Sequence, residues 1–332
     1  MKALTNFEAP RVWLAPMSGS TDAPFRRQAV RFGAPAVVSE MTASEALVRA
    51  RPDVVRRTCR HDGGGAWIVQ LAGRRPDDMR AGASILARAG VDVIDINMGC
   101  PSRQVTGGAS GSALMRDPAL AQAIVEATID GAEGVPVTLK MRLGWDDQML
   151  NAPALGAMAE RAGVRMLTVH GRTRCQFYKG DADWARIRDT VASVAIPVIA
   201  NGDIDGPAAA HAALDASGAH GVMVGRAAMG RPWLAGQIAA ALDGRAYRDP
   251  PLDIQCDSLC EQVEDSVALY GERLGVRMVR KHVSAALDAT RLSVDAATRR
   301  ALRAELCQLE SASALVASLR AVYGAETAEI AA

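Results

Sequence analysis

The sequence predicts an α/β chain: a (β/α)₈ TIM barrel followed by a C-terminal all-helical domain. Short β-branched apolar runs recur eight times over the first two thirds of the 332 residues. Alanine-rich stretches with helical spacing alternate with them, and the alternation stops after Ala241. Apolar runs bare of polar alternation are the mark of strands buried on both faces of a parallel sheet. Eight such units over about 240 residues match a closed barrel; an open doubly wound sheet is the competing arrangement, which the regular count disfavours.

The predicted strands are 12–15, 36–39, 67–70, 93–97, 137–141, 166–170, 198–200 and 221–224, and the clearest helices are 76–89, 118–130, 152–162 and 206–216. Three helix-to-strand junctions are near copies: Ala89-Gly90-Val91, Ala162-Gly163-Val164 and Ser217-Gly218-Ala219. Each places glycine where a helix end requires a left-handed residue. Turn formers and charge make 242–252 a linker between a catalytic barrel, 1–241, and a helical domain, 253–332.

Composition narrows the function classes. Apolar residues make up 49% and charged residues 23%, so the chain can bury a sizeable core. The net charge of +1 neither demands nor excludes a polyanionic partner, so local charge must decide. The six cysteines include no Cys-x-x-Cys pair, which argues against a metal site. With no apolar leader or membrane-length run, the expectation is a cytoplasmic protein with reduced thiols, no membrane contact and no obligate protein partner.

Polar residues at the C-terminal ends of barrel strands face the active site. The eight strand ends here carry Pro16-Met17-Ser18, Glu40, Gln70, Asn97 with Cys100, Lys140 with Arg142, His170 with Arg172, Asn201-Gly202-Asp203, and Gly225-Arg226. The last two sets suit a phosphate group, since loops after strands seven and eight commonly bind one through exposed N–H groups. Gln70, Lys140 and His170 suit the edge of a flat heterocycle, although a phosphosugar isomerase could use similar parts. Cys100 stands just past a strand end, before a run of small residues, 106–112, that reads as a mobile lid. A thiol near its ordinary pKa stays largely protonated and can serve as an acid; a nucleophile paired with His170 is the alternative. Residues 273–303 hold eight Arg or Lys, including Arg277 and Arg280, against two Asp. A solvated helix face and a phosphate-binding surface both fit that count.

Together these residues resemble the dihydrouridine synthase family. The resemblance is carried by Ala15-Pro16-Met17, Asp95-Ile-Asn-Met-Gly-Cys-Pro101, Gly111-Ser-Ala-Leu114, Lys140-Met-Arg142, Val169-His-Gly-Arg-Thr173, Ile196-Pro-Val-Ile-Ala-Asn-Gly202 and Val224-Gly-Arg226. Thr21-Asp22, Ser39-Glu40-Met41, Gly230-Arg-Pro-Trp233 and the Lys281-His282 pair are similar to the B-type bacterial branch. The resemblance implies FMN as cofactor, NADPH as reductant and reduction of a flipped-out D-loop uridine in tRNA. It also implies roles. Cys100 is the proton donor. Pro16, Met17, Ser18, Gln70, Lys140, His170, Asn201, Gly202, Asp203, Gly225 and Arg226 contact the flavin. Asn97 contacts the uracil, and Arg142, Arg172, Arg277 and Arg280 face the RNA. One departure is Ser102-Arg103-Gln104, where relatives often carry Ala-Lys-Lys, a loss of one positive charge beside the incoming RNA.

Overall fold

The computed structural model describes residues 7–331, so residues 1–6 and 332 of the two predicted domains lie outside the described part. Its strands are β1 (Val12–Leu14), β2 (Ala36–Val37), β3 (Thr42–Ala43), β4 (Ile68–Ala72), β5 (Val93–Met98), β6 (Val137–Arg142), β7 (Leu167–His170), β8 (Val198–Asn201) and β9 (Gly221–Val224). Every pairing is parallel, in the spatial order β2-β1-β9-β8-β7-β6-β5-β4-β3.

A bridge between Val38 and Ile68 closes the ring, with the Ser39 N–H donating to the Ile68 carbonyl at 3.0 Å. The second barrel position is therefore one strand in two pieces: β2 lies along β1, β3 lies along β4, and the Val38 bridge joins the two edges between them. The predicted run 36–39 covers only its first half. The break is built by side chains: Ser39 Oγ accepts the Gln70 N–H at 3.1 Å, and Glu40 turns away to accept the N–H of Gly19. Nine segments thus make eight barrel positions.

Helices 76–89 and 152–162 run as predicted, and the other two shift by a residue, to Pro118–Gly131 and Pro207–Ser217. The three glycine junctions adopt left-handed φ values of 85° at Gly90, 111° at Gly163 and 67° at Gly218. A Cβ at Gly90 or Gly218 would touch nothing, so conformation and not space selects glycine there.

Trp13, Val38, Ile68, Val93, Met166, Ile199 and Met223 form one buried cluster near the strand starts and plug the barrel floor. Larger apolar clusters lie between strands and surrounding helices. With the floor plugged, only the upper interior is free to hold polar groups, and that is where the site forms.

After β9 the described residues hold no strand. Helices Leu252–Tyr270, Glu272–Ala289, Ala296–Leu306 and Ala312–Ala331 form an apolar core of their own around Val263, Val279, Val283 and Leu319. They meet the barrel through the Phe25 and His282 rings, 4.6 Å apart, through Arg31 on Glu261 at 2.6 Å, and through Ser258 Oγ donating to Gln28 Oε1 at 2.9 Å.

Candidate active site

The upper interior is laid out by strand register. Gln70, Asp95 and Thr138 stand level on β4, β5 and β6; Asn97 and Lys140 stand one layer higher, and Arg142, His170 and Asn201 higher still. Side chains two apart on a strand share a face, so each strand contributes one residue per layer. Above them opens a cleft of about 930 Å³, lined among others by Met17, Asn97, Cys100, Lys140, His170 and Arg226.

Cys100 is held from several sides. Its N–H donates to Asn97 Oδ1 at 3.0 Å, and its carbonyl accepts from Ser112 N at 3.1 Å and Ser112 Oγ at 2.8 Å. Arg142 Nε donates to the preceding carbonyl, Gly99 O, at 2.8 Å. The run 106–112, expected to be a lid, continues a short helix, Arg103–Thr106, and leads into a 3₁₀ turn, Gly111–Arg116, that closes on Cys100. Burial pushes the Cys100 thiol up, against the Ser102 N–H and the charges of Arg142 and Lys140. The protonated thiol therefore prevails at neutral pH. No hydrogen bond joins Cys100 to His170 among the described residues, so the nucleophile–base pair has no support in the geometry.

Lys140 Nζ donates to Asn201 Oδ1 at 2.9 Å, and Asn201 Nδ2 donates to Met223 O at 2.8 Å. Burial, then the neighbouring Arg142, lowers the Lys140 pKa to about 8. Lys140 stays largely protonated at neutral pH, and an anionic ligand would raise its pKa again. His170 is held neutral, its pKa driven well down by burial and by Lys140, and its Nδ1 is buried without a partner. Buried polar atoms are normally paired, so this nitrogen is a place for a ligand's polar edge.

Asp203 accepts from Arg172 Nη1 at 3.0 Å and Nη2 at 2.5 Å and from Ala182 N at 2.8 Å, and stands 3.6 Å from Arg226 Nη2. Arg226 keeps 63% of its side chain exposed and lies over the Tyr178 ring at 5.0 Å. Pro16, Ser18, Gly202 and Gly225 also line the cleft.

Three sequence-based assignments need correction. Gln70 does not line the cleft: it is fully buried, its amide spent on Asp95 and Asn97, and it reaches the cleft only through Asn97. Arg172 is 2% exposed and donates to Asp203 and to the carbonyls of Lys179 and Gly180, so it braces the loop that carries Gly202 and Asp203 and does not face the cleft. Arg280 is half-buried and donates to Leu309 O at 3.0 Å, tying two helices together. Arg277 is exposed as expected.

Sequence reasoning missed Asp95, Thr138 and Ser112. Asp95 had a signal: it stands two residues before Asn97 inside an apolar strand, hence on the same inward face. It also passed over a set of rim aromatics. Trp145 lies between Arg116, at 4.8 Å, and Arg174, at 4.6 Å; Arg174 also covers Phe177 at 4.7 Å.

No group of three or more metal-ligating side chains occurs among the described residues, and no described helix is long and apolar enough to cross a membrane.

Comparison with known proteins bears on the fold and on the family. At the level of fold alone, the chain is similar to a 2-naphthoyl-CoA reductase (TM-score 0.53, 12% identity, 74% of this chain and 52% of that one). It is likewise similar to histamine dehydrogenase from Rhizobium sp. 4-9 (TM-score 0.50, 14% identity, 76% of this chain), of which it spans 48%. In sequence it is 48% identical, over 95% of both chains, to a probable tRNA-dihydrouridine synthase of Rhodobacter capsulatus. It is 44% identical, over 83% of both chains, to tRNA-dihydrouridine synthase B of Xanthomonas axonopodis pv. citri. The family model for dihydrouridine synthase (Dus) matches residues 13–323, and the chain belongs to that family.

Proposed function

We propose that this protein is a tRNA-dihydrouridine synthase: with FMN as cofactor and NADPH as reductant, it saturates a D-loop uridine of tRNA to 5,6-dihydrouridine, and Cys100 gives the proton. The observation that carries this reading is Cys100, fixed through its backbone N–H and carbonyl, in the same cleft as Gly202, Asp203, Gly225 and Arg226.

The residues present fit a flavin mononucleotide. Arg226, with the backbone of 201–203 and 225–226, would hold its phosphate. The orphaned His170 Nδ1 offers a partner for a polar edge of the ring, and Lys140 a cation for charge that develops on it. Pro16, Met17 and Ser18 would cover the ring. Once bound and reduced, the flavin supplies hydride to one carbon of the uracil double bond. The neighbouring carbon takes its proton from Cys100 Sγ, so that hydride and proton together saturate the bond.

Tyr178, with Arg142 at 5.6 Å and Arg226 at 5.0 Å, gives the cleft a π face beside two cations, suited to an unstacked base. Arg116 and Arg174 have no carboxylate partner among the described residues, so their charge stays available to RNA phosphates at the rim. Arg277 extends that charge onto the helical part, 253–331, which would serve as the tRNA-binding domain. A tRNA substrate places the protein in the cytoplasm.

Mass analysis of tRNA from a strain lacking this protein tests the reading. One dihydrouridine should be missing, restored by the wild-type gene and not by Cys100→Ala. An unchanged dihydrouridine content overturns it.

A further inference from the structure

Beneath the cleft, one unbroken file of hydrogen bonds runs from the barrel interior to the backbone of Cys100. Thr138 Oγ1 donates to Asp95 Oδ1 at 2.6 Å, and Gln70 Nε2 donates to Asp95 Oδ2 at 2.6 Å. Asn97 Nδ2 then donates to Gln70 Oε1 at 2.7 Å. Asn97 Oδ1 accepts the N–H of Cys100 at 3.0 Å and that of Gly99 at 3.2 Å. Thr138 and Gln70 are fully buried and Asp95 is 3% exposed, so water does not substitute for any of these partners.

The file has a direction. A backbone N–H can only donate, and an ionised carboxylate can only accept. The two amides between them can each be turned by half a rotation. Only one combination of turns satisfies both ends, with the Gln70 nitrogen toward Asp95 and the Asn97 oxygen toward the loop. If Gln70 is reversed, its carbonyl meets the carboxylate. If Asn97 is reversed, its amide nitrogen meets two N–H donors.

We propose that Asp95 is a positioning residue for Cys100: by fixing the amide sense of Gln70 and, through it, of Asn97, its carboxylate sets the loop that carries the thiol. Burial is the largest influence and leaves the Asp95 pKa raised, with the Thr138 and Gln70 donors and the charge of Lys140 acting against it; Asp95 Oδ2 accepts from Gln70 in either state, since a proton on Oδ1 would point to Thr138. The consequence for turnover rests on the proton-donor reading of Cys100; the hydrogen-bond file itself does not.

The test moves the charge one step along the file in the full-length, flavin-loaded protein. In Gln70→Glu, two carboxyl groups meet. The link between positions 70 and 95 survives only while one of them carries a proton, with Lys140 as the nearby cation; with both ionised, repulsion drives the side chain at position 70 off its place beneath Asn97. Relative to wild type at the same pH, oxidation of reduced flavin by tRNA should then fall by about 10²-fold as pH rises from acidic to alkaline, the scale of a misplaced reacting group. The loss should appear in kcat and leave KM for tRNA unchanged. The double variant Asp95→Asn with Gln70→Glu exchanges the carboxylate and the amide. The amide introduced at position 95 donates through its nitrogen to the carboxylate introduced at position 70, and its oxygen accepts from Thr138. That carboxylate in turn accepts from Asn97. Charge and downstream sense both return, so the pair should recover most of the lost rate at every pH.

Peptide-resolved alkylation of Cys100 by iodoacetamide reads the thiol's placement directly, whatever its chemical role. Its rate and pH profile should depart from wild type in Gln70→Glu and Asp95→Asn and return in the pair. Should Gln70→Glu not fold, Asp95→Asn against the pair makes the same comparison. Single variants with lowered Tm but wild-type alkylation and pH profiles would reduce the file to core packing and overturn the proposal, as would a pair no better than its singles. If Cys100→Ala instead retains full turnover, the acid reading fails while the alkylation profiles still decide the role of Asp95.

Discussion

Ser112 closes the loop of Cys100 on itself: Ser112 Oγ and N both donate to the Cys100 carbonyl, at 2.8 and 3.1 Å. This return is made at Gly111, whose φ of +61° is a left-handed conformation. A Cβ there would lie 2.8 Å from Val105 Cγ1, 3.0 Å from Cys100 O and 3.2 Å from Cys100 Cβ. Gly111→Ala should therefore cost about 1–2 kcal/mol for conformation alone and push the thiol out of line. Thermal melting reads the first effect. Flavin oxidation by tRNA, expected to fall by about 10²-fold, reads the second.

Cys100→Ala removes the proposed proton donor and leaves the loop. Positioned acids contribute about 10²–10⁴-fold, so oxidation of reduced flavin by tRNA should slow by roughly that factor. Flavin reduction by NADPH, followed by bleaching of flavin absorbance, should be nearly unchanged. Wild-type turnover in this variant would remove the acid role.

The barrel was legible because its signal is repetitive: apolar runs, helical spacing and the glycine caps at 90, 163 and 218 each predict the same unit. The interrupted second strand was not, since Ser39 and Glu40 end the ladder through side-chain bonds that no periodicity encodes. At the site, residue types were legible and directions were not. Arg172 stands just past its strand end as read, whereas Gln70 lies mid-strand because β4 runs on to Ala72; both turn into protein, where Asp203 and Asp95 reach them. Arg280 is likewise taken by a carbonyl of Leu309. A sequence shows a side chain's place on its strand, but which partner it meets depends on the neighbouring strand's register.

The two arginines around Asp203 should separate cleanly. Arg226→Ala removes an exposed cation, so flavin retention should weaken while Tm holds. Arg172→Met breaks a pair in which Arg172 is 3% and Asp203 30% exposed. Removing one partner of a buried pair costs about 3–5 kcal/mol, and the solvent-facing side of Asp203 puts the loss near the lower end. Dialysis-resistant flavin and a denaturant melt on each variant check this; equal Tm losses in both would contradict it.

The pH dependence of tRNA reduction follows from the raised thiol. A group whose pKa is raised keeps its proton through neutrality and loses it only as pH rises through the higher value. The acid-dependent rate should be flat across neutral pH and fall on the alkaline side of an ordinary thiol's value. Single-turnover flavin oxidation measured against pH should show this limb in wild type and lack it in Cys100→Ala. The reductive half-reaction should not share it.

The charge proposed to hold tRNA can be divided between barrel rim and helical part. Arg277 is exposed, whereas Arg280 is built into helix packing, so Arg277→Glu with Arg273→Glu tests the helical surface without loosening it. Arg116→Glu with Arg174→Glu tests the rim, at some cost in packing, because both guanidinium groups lie on Trp145. Each cation withdrawn from an RNA phosphate lowers the slope of log affinity against log salt by about 0.7–0.9, so each double variant should flatten it by roughly 1.4–1.8. NADPH-driven flavin reduction should stay intact in both. If only the rim pair changes the slope, the tRNA lies on the barrel mouth and the helical arginines form an ordinary solvated face. If both pairs change it, the RNA spans the two parts, and the losses should add, since the sites share no partner.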